Sequence, residues 1–444
     1  MAFVTLRGRR GLLLVGAALI LGNTAALAAE HAERENSAAE EPKLLLGDMG
    51  GLRTALDASG IELGITYIGE VFGNVSGGIK RGAVYEGQVE VSLDVDLEKF
   101  VGWPGATFHV NAFNIHGRGP SETLVGNLMP LSGIEALPAT RLFELWFDQK
   151  LFDDRVSIRA GQLVAEEEFI TSETAEGLVN ATFGWPLLTS ANMTNEGPGY
   201  PLATPGIRLQ LKPTDDFALR GAVFSGDPAG GGCTTEPQIC NPSGTTFSFA
   251  GGTLWLAELE YGANKGKGAP GLPGAYKLGG WRQTGTFHDQ FTDTPSRRGD
   301  WGLYGVVDQA IWRRTPGEEQ GLNVFMRMGG TPADRNLITW YVDGGFGFKG
   351  PLAERPDDVL TLGVAYGRIS NDAALADRLA GPPTPVRNHE TVIELSYNIG
   401  VIPGLNVQPD LQYVINPGGN VLNPAGTGRI ADALVLGVRT TFNF

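Results

Sequence analysis

The sequence predicts an all-β chain, a sixteen-stranded antiparallel transmembrane β-barrel with a short N-terminal helix. Three observations lead there. From Ile61 to Phe444, bulky apolar and polar side chains alternate with a period of two. Beyond the first thirty residues, no stretch approaches the ~20 apolar residues of a membrane-spanning helix. The connections also run long and short by turns, as in a barrel with loops on one side of a membrane and tight turns on the other.

Residues 1–28 carry Arg7, Arg9 and Arg10, then an apolar run from Gly11 to Gly22, then Ala26-Leu27-Ala28. A basic start, a short apolar core and an A-x-A site make a secretory signal peptide, cleaved near Ala28 or Ala29. The alternative, an N-terminal membrane anchor, would need a longer apolar run. Residues 29–46 read as an acidic, flexible leader. Residues 47–60 have a brief helical rhythm in Leu52, Ala55 and Leu56 that Gly60 closes.

Residues 61–444 are the barrel. "YEGQVEVSLDVDL" is its clearest strand: Tyr85, Gly87, Val89, Val91, Leu93, Val95 and Leu97 share one side, and Glu86, Gln88, Glu90, Ser92, Asp94 and Asp96 the other. Similar runs recur to "ADALVLGVRTTFNF" and give about sixteen strands, within two. With both termini periplasmic, outward loops fall at 73–83, 117–139, 165–204, 226–251, 288–300, 330–336, 371–388 and 416–432. Inward turns fall at 98–104, 150–154, 213–216, 262–275, 314–320, 349–357 and 400–404. The connectors near 330–336 and 262–275 break the long–short rule. Trp255, Tyr261, Trp301, Trp312, Trp340 and Tyr341 stand near strand ends, as interfacial girdles require.

The formal charge is -15, and about -18 once the three arginines of the signal are removed. An acidic surface disfavours nucleic acid. Cys233 and Cys240 lie in "GGCTTEPQICNPSG", a loop of an exported protein, where a disulfide is expected. A metal centre would need further ligands, and no His or Asp cluster lies nearby. No cofactor motif is present.

"GDMGGLRTALDASGIEL", "FGNVSGG", "LDVDLEKFVGWPGATFHVNAFNIHGRGPS", "IEALPATRLFELWFDQKL", "SIRAGQLVAEEEF" and "NATFGWP" together resemble the carbohydrate-selective porin family, OprB. The family usually has Trp where this chain has Met49. The resemblance implies an outer-membrane channel of a Gram-negative cell for passive diffusion of carbohydrates into the periplasm, glucose being the usual solute. It implies outer-membrane lipid and lipopolysaccharide as surroundings. The barrel-assembly machinery would read Phe444 as a C-terminal aromatic signal. The sequence leaves open whether such barrels form a homotrimer.

A sugar is neutral and covered in hydroxyls, so a selective pore needs a constriction with donors and acceptors that replace its water. An aromatic ring can cover its C–H face. The connector near 165–204 is too long for a turn and is expected to fold into the lumen. From it we take Glu166, Glu168 and Phe169 as constriction candidates. From the polar strand faces we take His109, Asn111, Glu144, Trp146, Arg159 and Arg208, since charges on a barrel wall belong on the watery side. Arg141 is out of phase with Glu144, unless a bulge intervenes. The acidic face of "YEGQVEVSLDVDL" favours neutral or cationic solutes. The competing function from the same fold is a general diffusion porin without sugar selectivity. A barrel-embedded enzyme would need a nucleophile beside a base, and no such motif surrounds His109, His116, His288 or His389. A plugged transporter would need about twenty-two strands.

Overall fold

The computed structural model describes residues 44–265, 269, 271–315 and 317–444. The expected signal peptide and most of the expected leader lie outside the described residues. The rest forms one closed antiparallel barrel. Its strands are β1 (Ile61–Gly78), β2 (Gly82–Asp96), β3 (Ala106–Gly117), β4 (Ala139–Leu151), β5 (Val156–Leu163), β6 (Thr204–Leu211), β7 (Phe217–Ser225) and β8 (Thr253–Ala263). They continue with β9 (Gly274–His288), β10 (Pro295–Arg313), β11 (Gly321–Gly330), β12 (Ile338–Lys349), β13 (Val359–Ile369), β14 (His389–Ile402), β15 (Leu405–Ile415) and β16 (Ala431–Asn443). Each strand pairs with its sequence neighbours, and β16 pairs with β1.

The closing seam explains the aromatic C-terminal strand. Val71 lies opposite Val438, and Tyr67 opposite Phe442. Leu436 and Val438 point outward and are exposed, while Ala433 and Val435 point inward and are buried. The last residue is held too: the Phe444 N–H donates to the Ile65 carbonyl at 3.0 Å. Arg53, on helix α1 (Leu52–Asp57), donates to the Phe444 carbonyl and, at 3.0 Å, to that of Leu63. The helix therefore fastens the seam at the end that carries the termini.

Most connections fall where the alternation places them. Two outward loops are shorter than expected, spanning 79–81 and 289–294. In the first, Gly77 and Gly78 take positive φ and carry β1 on past its bulges. In the second, β10 starts at Pro295, opposite His288. These two join the loop at 331–337, also short for an outward one, and the long inward connection between β8 and β9 as exceptions to the long–short rule. Cys233 and Cys240 are joined by a disulfide within the loop 226–252, with Cα atoms 5.9 Å apart.

The outer face carries two aromatic belts. Trp301 and Trp312 both face outward on β10, eleven residues apart. That is about 36 Å along the strand, or about 28 Å along the membrane normal at the usual tilt, close to the apolar band of outer-membrane barrels. Tyr341 does not belong to a belt. It points inward and is 1% exposed, because a register shift between Ile338 and Trp340 turns Trp340 out and Tyr341 in. Replacing the outward, mid-strand Leu436 with Arg should cost about 2–4 kcal/mol of stability, measured by unfolding from liposomes. An unchanged unfolding midpoint would contradict the assigned face.

Candidate functional site

Two outward loops turn into the lumen instead of standing in solvent: 118–138, between β3 and β4, and 164–203, between β5 and β6. Their apolar side chains dictate this. Met129, Leu131, Phe169, Ile170, Phe183, Leu187 and Leu188 are almost fully buried against inward-facing wall residues such as Phe325, Val392 and Val435. Each such side chain stabilises the folded loop by roughly 1.5–3 kcal/mol on burial.

Burial leaves the loop backbone without water, so wall side chains supply its partners. Glu258 of β8 accepts from the Ile170 N–H at 2.9 Å. Asp308 of β10 accepts from Ser172 Oγ, Thr174 N and Thr174 Oγ1 at 2.6, 2.9 and 2.6 Å. Arg327 of β11 is wholly buried; it pairs with Asp343 at 2.6 Å and donates to the carbonyls of Ile170, Thr182 and Gly184. On β14, Glu394 accepts from Val179 and Asn180, and Glu390 from Leu128, Met129 and Gly418. Gln412 of β15 receives Asn180 Nδ2 at 2.9 Å and donates to the Leu131 carbonyl. The β8–β16 side of the lumen is thus packed with protein.

The open space lies on the other side. A cavity of about 350 Å³ lies between Glu167, Glu168 and Thr171 of the loop and a wall containing Asp148, Arg159, Arg208, Gln210 and Arg220. Arg159 and Arg208 face each other across β5 and β6. Asp148 and Glu168 complete a closed ring with them: Arg159 Nε to Asp148 at 3.0 Å, Arg159 Nη1 to Glu168 at 3.0 Å, Arg208 Nε to Glu168 at 2.6 Å and Arg208 Nη2 to Asp148 at 3.0 Å. Ser157 braces it, donating to Asp148 at 2.7 Å and accepting from Arg208 at 2.6 Å. The ring is neutral, so charge at the passage is mixed, unlike the acidic inner face of β2.

Trp146 supports Arg159, whose guanidinium carbon lies 3.7 Å from the centre of the indole ring. His109 stacks on the same indole with centroids 4.7 Å apart, and its Nδ1 meets Asp94 at 2.7 Å. Trp146 therefore packs against both a guanidinium and an imidazole and holds the cation flat against its ring.

The other expected site residues stand farther back. Asn111 bridges Glu90 and the Glu144 N–H, and Glu144 accepts from Val164 N at 3.3 Å. Glu166 accepts from Tyr200 N at 2.7 Å, and burial pushes its carboxyl up to about 8. Burial also raises Glu167, against the pull of Arg159. Phe169 is wholly buried in the loop core, where no solute reaches it. Arg141 does point inward, because the β3–β4 register shifts between Val110 and Ala112; it is 1% exposed and donates to the Asn241 carbonyl. Asp148, Glu167, Gln210 and Arg220 line the passage although the sequence reading did not select them. For Asp148, Gln210 and Arg220 the signal was an inward phase on β4, β6 and β7, and for Glu167 a place in the long connector, neither of which alternation alone ranks.

A closed sixteen-stranded barrel with aromatic belts and two loops folded into its lumen defines an outer-membrane porin. This chain belongs to the OprB family of carbohydrate-selective porins, whose family model matches residues 80–444. It is 24% identical to Porin B of Pseudomonas aeruginosa over 96% of each chain. It is 23% identical to the putative porin QuiX of Acinetobacter baylyi, over 91% of this chain and 94% of that one. The high-pH structure of Pseudomonas putida OprB has the same fold, with a TM-score of 0.80, 24% identity, and 91% of this chain and 99% of that one covered. The low-pH structure of the same protein gives a TM-score of 0.58 at 21% identity and the same coverage. The molecule is an outer-membrane channel for carbohydrates in a Gram-negative cell.

Asp308→Ala should strand three loop donors and cost about 2–4 kcal/mol of loop docking. Limited proteolysis within 171–178 should speed up at least tenfold while strand content by circular dichroism is kept. Unchanged cleavage would mean that Asp308 does not hold the loop.

Proposed function

We propose that carbohydrate crosses the barrel beside the Asp148–Arg159–Glu168–Arg208 ring, and that monosaccharides such as glucose are its solutes. The closed ring itself carries this reading. Its two cations and two anions pair with one another, so the ring itself adds no net charge to the passage. A sugar hydroxyl can nonetheless accept from a guanidinium edge and donate to a carboxylate. Arg220, Gln210 and Glu167 extend the same supply of donors and acceptors along the cavity. Exchange among many moderate partners lets a solute enter and also leave. Trp146 and His109 contribute by fixing Arg159, and Glu144, Glu166 and Asn111 by fixing the strand and loop behind it.

We also infer that Phe444 is the assembly signal. Its ring stacks on Phe442 with centroids 6.2 Å apart, so it lies on the outer face of the last strand, where a partner could meet it before closure.

Planar-bilayer recording with glucose titrated in tests the sugar path. Glucose should block the ion current saturably, a neutral polyol of similar size should not, and Arg208→Gln should weaken the block about tenfold. Conductance indifferent to glucose would instead make this chain a general diffusion pore.

A further inference from the structure

The outer face between β9 and β13 differs from the rest of the belt at the end opposite the chain termini. Trp301 and Trp340 are about half exposed there and flank a furrow of about 510 Å³ floored by Gly305 and Gly330 and walled by Leu303 and Met328. Both glycines have backbone angles open to any residue, and a Cβ on Gly305 would meet nothing nearer than the Lys277 carbonyl, at 3.7 Å. The furrow therefore exists because side chains are missing, not because the backbone demands glycine.

Three arginines frame it. Arg282 lies beside Trp301 on one side and Trp255 on the other, on the outward phase of β9. Arg368 lies beside Trp340, on the outward phase of β13. Arg298 stands exposed above Trp301, near the start of β10. Among the described residues, none of the three has a carboxylate within 4.0 Å; Arg368 reaches only Asn371, at 3.4 Å. Nearby Arg297 and Arg335 behave otherwise, pairing with Asp289 and Asp334. From β9 to β13 the row spans about 19 Å.

Guanidiniums set among tryptophans on a lipid-facing wall are unfavourable unless the lipid brings anions to meet them. This end bears the long loops, so it lies in the outer leaflet. We propose that this face is a binding site for lipopolysaccharide: phosphates of its acylated glycolipid anchor meet Arg282, Arg298 and Arg368, and an acyl chain lies in the furrow between Trp301 and Trp340. Charge complementarity selects this occupant over a second barrel, whose matching face would bring the same arginines together. The site is remote from the sugar path and does not depend on it.

The test uses purified full-length protein refolded in detergent and incubated with lipopolysaccharide micelles. Retained lipid is measured by native mass spectrometry and phosphate assay. Removing one charge should weaken retention about fivefold, and the triple R282Q/R298Q/R368Q variant about a hundredfold. Gly305→Leu, which fills the furrow and keeps every charge, should also weaken it. Enzymatically dephosphorylated lipopolysaccharide should bind wild type as poorly as the intact lipid binds the triple variant. Unaltered single-channel conductance in bilayers shows that each variant is folded. Equal retention by all the proteins would overturn the site. So would loss of barrel–barrel association, with lipid retention intact, in the triple variant, which would assign the face to a second copy.

Discussion

The constraint on which the rest of the structure depends is the hydrogen bonding of a loop that leaves the barrel wall. Strands satisfy one another around the closed sheet. The segment 164–203 enters the lumen as short helical turns joined by irregular chain, and the buried peptide groups between those turns have no sheet neighbour. Glu258, Asp308, Arg327 and Glu394 meet that need from the wall, while Glu390 and Gln412 do the same for the loop 118–138. Several are charged, and a charged partner makes a stronger and more directional bond than a neutral one. Arg327 shows the logic most fully: Asp343 compensates its charge while three carbonyls use its remaining donors.

This anchoring decides where the pore lies. With the β8–β16 side filled, the cavity that remains lies between Glu167, Glu168 and the β4–β7 wall, where the proposed sugar path runs. There Glu168 changes role, since it docks the loop and also presents a carboxylate edge to the passage. One ring of charges therefore positions the loop and, on the proposed sugar path, would also meet the solute. The apolar half of the loop gives rigidity, and the polar half, held at its far edge by Arg159 and Arg208, faces water.

The barrel was legible in the sequence because a lipid-facing wall enforces strict alternation, and any slip would put charge in lipid. The seam at β16, the strand count and most connections follow from that rule. Loop 164–203 could be expected to enter the lumen from its length and its apolar content. The arrangement within the lumen was less legible. His109, Trp146, Arg159, Glu168 and Arg208 converge as a group, whereas Phe169 turns into the loop core and Glu166 and Asn111 support their neighbours. Alternation says which side a residue faces, not what the loop covers. A bulge on β4 also brought Arg141 inside, and period-two counting has no means of locating one.

The central claim is that the lumen has one open route, beside the Arg159–Arg208 ring. Cysteine scanning with a bulky, membrane-impermeant thiol reagent during single-channel recording tests it most directly. Gln210→Cys, which lines the passage, should react and lose most of its conductance. Ala365→Cys, inward-facing but wholly buried under the loop, should stay unreacted with its current unchanged. Rapid block through position 365, or full current after modification at position 210, would contradict the account.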